Sequence, residues 1–439
     1  MQAHKIIIIV LLLLSGCATL PDPRTLSQQP VTTSIPLAPK LGLAYTMPGT
    51  GLDHILMLFP GGTYLDPRGK EGAMEILASG MLKGGSRSLT PAQMEETLGR
   101  YAIDISIAPQ REYTLVRMTC LPDVVEKAVP LLLEILSAPR LDERRIEIER
   151  KIFADSLRRD EEEASTIAFD TYRSHYYRGD PRAYKPTQAS ITDITGEDLL
   201  SLHQRVFTYK PILGIIGTLP SACSNQLSDA FSTPWTPAPI GPAPDPEFGT
   251  FAATAKERQG VLLMAHNAPA MNAPDYAACV VADHLIGSGG FSSLLVKEVR
   301  TKQGLAYSTD SFYQARPNWG IFGLIVITEP RELDKAKSAV DTVLGQIRRG
   351  LSSEDVAWAK QAVMNSHAVP YNTPLRIITR SMDLAFYNIP EDFDAAFIAQ
   401  VAALTPEAVQ AAALKLISGK WVEVQVNSGN LDSLGIHQP

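Results

Sequence analysis

Two side chains in the second half of the sequence have the chemistry to stabilise a negative charge. Arg300 carries a permanent cation with forked donors, and Tyr307 offers one phenolic hydrogen bond. They are seven positions apart, so on one helix they would share a face after two turns, whereas a turn at Gly304 would change that geometry. By residue type alone, a surface arginine and a core tyrosine in a helix-to-strand turn explain the pair more simply, so its assignment depends on the surrounding sequence.

The eight histidines do not have the spacing of a metal site. No two of them lie three to five residues apart, which is the separation that brings two imidazoles onto one helix face. The acidic run 160–163 is a conceivable cation site, but such a run is more often the solvated end of a helix. The segment 287–290 lacks the Lys-Ser/Thr of a phosphate-binding loop, and no serine lies in a nucleophile-elbow motif.

The composition is typical of a folded, water-facing protein. Of 439 residues, 45% are hydrophobic and 20% are charged, which excludes a disordered chain, a collagen and a protein with many membrane spans. The 40 basic and 47 acidic residues give a net charge of -7. A mildly acidic chain is a poor candidate for binding nucleic acid.

The N-terminus has the pattern of an export signal. Lys5 precedes the apolar run 6–14, which is too short to span a bilayer core. The run is followed by Leu14-Ser15-Gly16-Cys17, which resembles the lipobox of bacterial lipoproteins. We therefore predict a signal peptide at 1–16 and acylation of Cys17; the alternative is an ordinary signal peptide with an incidental cysteine.

The residues after the predicted cleavage site suit an anchored protein. Ala18 follows the cysteine, and in lipoproteins a residue other than Asp at this position resembles an outer-membrane address. Residues 17–40 are rich in Pro, Thr, Ser and Gln, which is typical of a flexible tether. The expected location is the bacterial cell envelope, with the lipid anchor in the outer membrane and the body of the chain facing the periplasm.

Three cysteines remain once Cys17 is acylated. Cys120 lies in an alternating apolar stretch and Cys279 in an apolar helical pattern, so both are predicted to be buried. Together with Cys223 they form an odd number, which leaves at least one free thiol in an oxidising compartment. Their spacing does not indicate a metal site.

The body of the chain is an internal repeat on either side of a proline-rich linker. Six prolines fall within residues 232–250, which is typical of a stiff connection. On both sides the same elements follow in the same order at an offset of about 210 residues. They are an apolar strand at 54–59 with the helix that follows it to residue 82, repeated at 261–286, and the segment 128–142, repeated at 339–353. A helix start at 195–198 is repeated at 405–407, and a final strand at 212–216 is repeated at 422–426.

The repeat predicts an α+β fold made of two similar halves. Each half is expected to have a mixed or antiparallel sheet with helices packed on one face. The predicted domains are residues 41–231 and 251–432.

The second half carries a motif that identifies a family resemblance. Gly289-Gly290-Phe291-Ser292-Ser293 is followed at 300–307 by the pattern Arg-x-x-x-Gly-Leu-x-Tyr. This sequence resembles the insulinase/pitrilysin-type zinc metallopeptidases, especially the short two-chain branch that includes mitochondrial processing peptidase. The resemblance covers nearly all of residues 40–430, and it implies the duplicated α+β fold of that family.

The same resemblance implies that the zinc motif of this chain is degenerate. Active members carry H-x-x-E-H on the first helix, in which two histidines bind zinc and the glutamate activates water. A further glutamate on a later helix completes the ligands. Here Glu75 and Ser79 stand at the histidine positions, Ala78 at the catalytic glutamate and Ser156 at the last ligand. We expect no metal or other cofactor in this chain.

The retained Arg300 and Tyr307 correspond to family residues that bind substrate and steady the oxyanion. In the two-chain branch, a subunit without zinc ligands contributes this pair to a partner that holds zinc. The resemblance therefore implies a non-catalytic, lipid-anchored subunit of a heterodimeric peptidase that closes a chamber around extended peptides. The alternative is a pseudo-peptidase that acts only as a scaffold or peptide-binding module; an independently active enzyme with unusual ligands is the third possibility.

Overall fold

The computed structural model describes most of the chain between residues 40 and 428. The described ranges are 40–41, 44–49, 51–160, 162–235, 240–243, 245–256, 258–368 and 373–428. The predicted signal peptide (1–16), the predicted acylation site Cys17 and the predicted tether up to residue 39 lie outside the described residues.

Strands and helices alternate along the first half of the chain. Its strands are β1 (Lys40–Leu41), β2 (Ala44–Met47), β3 (Asp53–Pro60), β4 (Asp104–Pro109), β5 (Tyr113–Cys120) and β6 (Ile212–Ile216). Its helices are α1 (Ala73–Lys83), α2 (Pro91–Arg100), α3 (Val125–Ser137), α4 (Glu143–Asp160), α5 (Ala164–Tyr176), α6 (Gln188–Asp193), α7 (Gly196–Val206) and α8 (Ser221–Asp229).

Strands and helices alternate in a similar order along the second half. Its strands are β7 (Gly249–Ala255), β8 (Gly260–Ala268), β9 (Ala306–Arg316), β10 (Trp319–Thr328) and β11 (Val422–Ser428). Its helices are α9 (Tyr276–Asp283), α10 (Leu333–Arg349), α11 (Ser353–Ala368), α12 (Pro374–Phe386), α13 (Phe393–Ala403) and α14 (Pro406–Ile417), with π-helical segments at His284–Ser288 and Val296–Lys302.

The two sheets have the same topology apart from the additional edge strand β1 of the first sheet. The first has the order β1-β2-β6-β3-β5-β4 and the second the order β7-β11-β8-β10-β9. The pairs β2–β6 and β7–β11 are parallel, whereas the other neighbours are antiparallel. The predicted duplicated α+β fold with mixed sheets is therefore confirmed.

Local sequence signals fix several helix starts that the repeat analysis identified. Thr195 accepts a hydrogen bond from the backbone amide of Asp198 and completes a capping box at α7. At the equivalent start of α14, Thr405 caps the amide of Ala408 and proline occupies the first turn. These caps place α7 and α14 at equivalent points, just before the central strands β6 and β11.

One face of each sheet packs on helices of the same half. Met57 and Phe59 of β3 belong to the core formed with α1, α3 and α7, and Phe322 and Leu324 of β10 belong to the core formed with α9, α10 and α14. This agrees with the predicted helical layer on one face. Burial of these side chains supplies the main driving force for each half.

The opposite face of each sheet is covered by a helix from the other half. Helix α5 belongs to the first half in sequence, but its side chains pack on β8 and β11 of the second sheet. Helix α12 belongs to the second half, but Ile378 and Met382 pack on β3 and β6 of the first sheet. The two halves therefore exchange equivalent helices, and each sheet has helices packed on both faces.

The predicted linker contacts both halves. Trp235 donates a hydrogen bond to the carbonyl of Lys210, 2.9 Å away, and Gly249 already begins β7. Arg182 of the first half donates to the linker carbonyls of Gly241 and Pro242, at 2.8 and 3.1 Å. The domain limits drawn from the sequence stay predictions, since these residues join the two halves closely.

The three described cysteines are free and buried, as the sequence predicted for two of them. Among the described residues, no single helix is long and apolar enough to cross a bilayer; α13 and α14 pass such a test only together, as a pair bent by 110°.

Candidate functional site

The helix that carries the degenerate zinc motif is fixed at its start by Asp66. The two carboxylate oxygens of Asp66 accept hydrogen bonds from the backbone amides of Gly72 and Met74, at 2.8 and 2.9 Å. Gly72 has φ 98°, and a Cβ there would lie 2.5 Å from Ile191. A glycine is therefore required where the chain turns into α1.

The residues at the motif positions do not fit a zinc ion. Ala78 is buried and has no ligand atom, and the hydroxyls of Ser79 on α1 and Ser156 on α4 are weak substitutes for imidazole and carboxylate. Glu75 supplies one carboxylate. Within the described ranges, no group of three or more His, Cys, Asp or Glu side chains could hold a metal ion.

The carboxylate on α4 that lies against α1 is already engaged. Glu149 is 4% exposed and accepts from Lys83 of α1 at 2.8 Å and pairs with Arg145 at 3.0 Å. This ion pair ties α1 to α4.

A polar cavity of about 170 Å³ opens beside the start of α1. Its charged lining comprises Asp66, Glu71, Glu75, Arg111 and Arg173. Arg111 lies at the tip of the β4–β5 hairpin, where backbone amides of residues 63 and 64 donate to the carbonyls of residues 110 and 111 at 2.9 and 3.1 Å. We call this the Glu75–Arg111 cavity.

The electrostatics of this cavity are perturbed by burial. Burial raises the pKa of Asp66 to about 7, and repulsion by Glu75 adds to that effect. Burial also raises the pKa of Glu75, although its own backbone amide and Arg111 act in the opposite direction. The pKa of Arg111 is lowered by burial and by the neighbouring cation Arg173.

Arg300 lies on the surface of the second half. It is in the π-helical segment Val296–Lys302, and its guanidinium carbon lies 5.2 Å from the centroid of the Phe291 ring. Phe291 is 76% exposed. The side chain that the sequence singled out is therefore accessible to a partner molecule.

Tyr307 lies in a β-bulge at the start of β9. Ser308 pairs with Ile327 and Ala306 pairs with Thr328, so Tyr307 is an extra residue between consecutive partners. Its ring is 62% exposed, and its hydroxyl lies 3.3 Å from a carboxylate oxygen of Glu329, to which it donates. The core-tyrosine alternative is therefore wrong.

The turn at Gly304 separates the two motif side chains. Gly304 has φ 64°, and its amide donates to the carbonyl of Arg300 at 3.0 Å, which ends the helix before Tyr307. No hydrogen bond, ion pair or ring contact joins Arg300 to Tyr307 among the described residues. The shared helix face is thus replaced by a helix end and a bulge.

Sequence reasoning missed several partners of these residues. Phe291 follows two glycines, which indicate a turn at the surface. Its contact with Arg300 depends on tertiary structure and is not encoded in that pattern. Glu329 reaches Tyr307 across the β9–β10 pairing, 22 residues away in sequence. Arg111 carries no motif that would connect it with Glu75.

Family models match both halves of the chain. Residues 54–187 match the model described as insulinase (peptidase family M16), and residues 191–363 match the model described as peptidase M16 inactive domain. The match to the inactive-domain description begins in the last part of the first half and includes Arg300 and Tyr307.

Curated relatives are distant but extensive. A non-peptidase homolog, YmxG, of Helicobacter pylori is 21% identical over 372 residues, which cover 80% of this chain and 83% of that protein. An uncharacterized zinc protease, also named YmxG, of Bacillus subtilis is 19% identical over 288 residues, covering 64% and 70%.

Solved structures share the fold. A peptidase M16 inactive domain from Pseudomonas fluorescens superposes with a TM-score of 0.76 at 21% identity, covering 88% of this chain and 94% of its own. The periplasmic protease PqqL of Escherichia coli has a TM-score of 0.70 at 14% identity; the match covers 94% of this chain but 49% of PqqL.

Proposed function

Because the chain belongs to the M16 (insulinase) peptidase family and its zinc-motif positions do not fit a metal, we propose that it is the non-catalytic subunit of a heterodimeric zinc peptidase. In this role it closes a chamber and presents Arg300 and Tyr307 to a peptide held at the zinc of a homologous partner. The proposal includes the lipid anchor at Cys17, which lies outside the described residues.

One asymmetry carries the proposal. The first half has lost the side chains that hold a metal, whereas the second half keeps Arg300 and Tyr307 on its surface. A β-bulge is a common device for aiming a side chain at a functional site, and here the bulged residue is Tyr307. Forked guanidinium donors and a phenol suit the charge that develops on a scissile carbonyl.

The sheet edge next to this pair supports binding of extended peptides. β9 is an edge strand of the second sheet, so one side of its backbone has no neighbouring strand among the described residues. An extended peptide pairs naturally with such an edge. A peptide paired there would pass the bulge at Tyr307.

A location in the cell envelope is part of the proposal. The structural neighbour PqqL is described as a periplasmic protease, and the export signal read from the sequence agrees with that compartment. Fractionation of cells that produce the full chain, with Cys17→Ser as the control, tests the anchor: the wild-type chain is expected in the membrane fraction and the variant is not.

The experiment that tests the main proposal compares the chain alone with the chain plus a homologue that has an intact H-x-x-E-H motif. The chain alone is expected to contain no stoichiometric zinc and to cleave no peptide, because Ala78, Ser79 and Ser156 supply no metal ligands of the required kind. Mixed with its partner it should copurify and raise peptide cleavage. Zinc-dependent cleavage by the chain alone would overturn the proposal.

The alternative, a scaffold or peptide-binding module without a catalytic partner, is favoured by one observation. Both motif side chains have partners within the chain, Phe291 for Arg300 and Glu329 for Tyr307. In that case peptides would bind the isolated chain, and adding the zinc-bearing homologue would change neither binding nor cleavage.

A further inference from the structure

The Glu75–Arg111 cavity is not used by the proposed function, which depends on the second half. It is built only from the first half: the start of α1, the tip of the β4–β5 hairpin and α5. Its opposite charges face a common space of about 170 Å³.

Of the three acidic residues that line the cavity, Asp66 and Glu71 accept backbone amides, whereas Glu75 has an oxygen without a donor among the described residues. Both oxygens of Asp66 accept backbone amides, so Asp66 is engaged in holding α1. The Oε2 atom of Glu75 is buried and has no hydrogen-bond partner in the described part of the chain. A buried acceptor without a donor is costly, which makes Glu75 the acidic group that a ligand would pair with.

On the basic side, Arg111 is the charged group that has no partner among the described residues. Its guanidinium forms no hydrogen bond and no ion pair within 4 Å in the described ranges, although it is half-buried. Nearby Arg182 is different, because Asp180 and two carbonyls engage it fully. Arg173 reaches the cavity, and its one ion pair within the part of the chain that the structure describes is a long one with Asp170, at 3.6 Å.

Glu75 and Arg111 do not neutralise each other directly. They line the same cavity, but no ion pair within 4 Å joins them in the described structure. A half-buried cation and a buried carboxylate separated by a gap suit a ligand that carries both charges. The gap corresponds to about five or six water molecules at ~30 Å³ each, which suits a ligand of about six non-hydrogen atoms.

We propose that the Glu75–Arg111 cavity binds a small zwitterion, a free α-amino acid with a short side chain. The ligand ammonium pairs with the carboxylate of Glu75, and the ligand carboxylate pairs with the guanidinium groups of Arg111 and Arg173. Planar guanidinium donors match a carboxylate in two-point geometry. The chain would thus hold an amino acid beside the position where active relatives hold zinc.

Isothermal titration calorimetry of the full chain with glycine, L-alanine and L-serine tests the proposal without any partner subunit. We expect saturable binding of at least one of them, and at least tenfold weaker binding of acetate and of methylammonium, which carry one charge each. Glu75→Gln and Arg111→Gln should each weaken binding at least about tenfold, the scale of removing one partner of a buried charge pair.

Arg173→Gln is a second variant on the basic side, and it keeps the test valid if Arg111→Gln does not fold. The melting temperature of each variant is measured to detect such a folding defect. Arg178→Gln is the matched control, because Arg178 is exposed and pairs with Asp245 outside the cavity. The proposal is overturned if no amino acid binds, if acetate binds as tightly as alanine, or if Glu75→Gln binds like the wild type. Since zinc and peptide cleavage play no part, these outcomes leave the proposed subunit function untouched.

Discussion

The guanidinium of Arg300 is stacked on the ring of Phe291, with 5.2 Å between the guanidinium carbon and the ring centroid. This is a cation–π distance, and the ring is exposed on the other side. The contact restricts the arginine to one region of the surface before any peptide arrives.

Arg300→Ala and Tyr307→Phe should each lower kcat/KM of the reconstituted pair by roughly ten- to a thousand-fold, the scale of losing a donor to a developing oxyanion. Peptide cleavage with the zinc-bearing partner is the measurement. Lys297→Ala is the control, because Lys297 is an exposed cation on the same helix. Wild-type turnover in both variants would count against the proposed role of the pair.

Phe291→Ala should lower kcat/KM by about two- to five-fold, because an exposed cation–π contact contributes ~0.5–1 kcal/mol. A double-mutant cycle distinguishes positioning of Arg300 from direct binding of peptide. If Phe291 acts by positioning, its removal has no further effect in the Arg300→Ala background. Additive losses would show that the ring contacts the substrate itself.

Gly214→Ala should destabilise the contact between the halves. A Cβ at Gly214 of β6 would lie 2.4 Å from Ile378 and 2.7 Å from the sulfur of Met382, both on the exchanged helix α12. Overpacking of this kind costs about 1–3 kcal/mol in the free energy of unfolding. Gly196→Ala is the matched control, because a Cβ at Gly196 would meet no atom within 4 Å, and it should not lower the free energy of unfolding. Urea titrations of the two variants measure the difference.

Arg182→Met should lower the free energy of unfolding by about 3–5 kcal/mol, because it removes one partner of a buried ion pair. Arg182 is 2% exposed and donates to both oxygens of Asp180 at 2.7 Å. Arg178→Met removes an exposed arginine from the same loop and should leave the melting temperature unchanged. Equal effects of the two substitutions would contradict the structural role assigned to Arg182.

The pKa of Asp66 predicts a pH dependence of stability. Its native value of about 7 lies above the unfolded value of ~3.9, so between these values the native state holds a proton that the unfolded state has lost. The contribution of this group to stability is therefore complete below about pH 4 and is lost as the pH rises through 7.

Melting temperatures measured from pH 4 to 8 for the wild type and Asp66→Asn test this linkage. The variant should show a shallower fall across the interval, because asparagine does not titrate, even if its melting temperature is lower throughout. Asp193→Asn, at an exposed aspartate, should keep the wild-type slope. Parallel curves for wild type and Asp66→Asn would refute the assignment.

The duplicated order of elements could be predicted from sequence because local signals repeat. Apolar runs, proline turns and Thr-initiated helices occur at the same offset in both halves, and β6 was predicted with the bounds that the structure gives. The predicted strand 54–59 lies within β3, one residue short of it at each end.

The helix exchange was not predicted, although the sequence contains a trace of it. In β3, Met57 faces the helices of its own half and Leu58 faces α12, so the strand is apolar at consecutive positions rather than alternating. Such a run predicts a strand with both faces buried. Which helix covers the second face depends on long-range packing that no local pattern encodes.

Only part of the candidate site could be predicted from the sequence, because its geometry also depends on long-range packing. A family motif identified Arg300 and Tyr307, but their geometry depends on the positive φ of Gly304 and on a bulge that forms only when β9 pairs with β10. The cavity beside Glu75 could not be foreseen, because Arg111 and Arg173 reach it from a hairpin tip and from a helix far along the chain.

The exchanged helices determine how the polypeptide can be divided. A fragment that stopped before β7 would leave the α12-facing side of its sheet, including Leu56 and Leu58, open to water, while α5 itself would have no sheet to cover. Two copies of that fragment could not repair each other, because α5 complements the second sheet and not the first. Recombinant work on either half alone would therefore require co-expression of the complementary half.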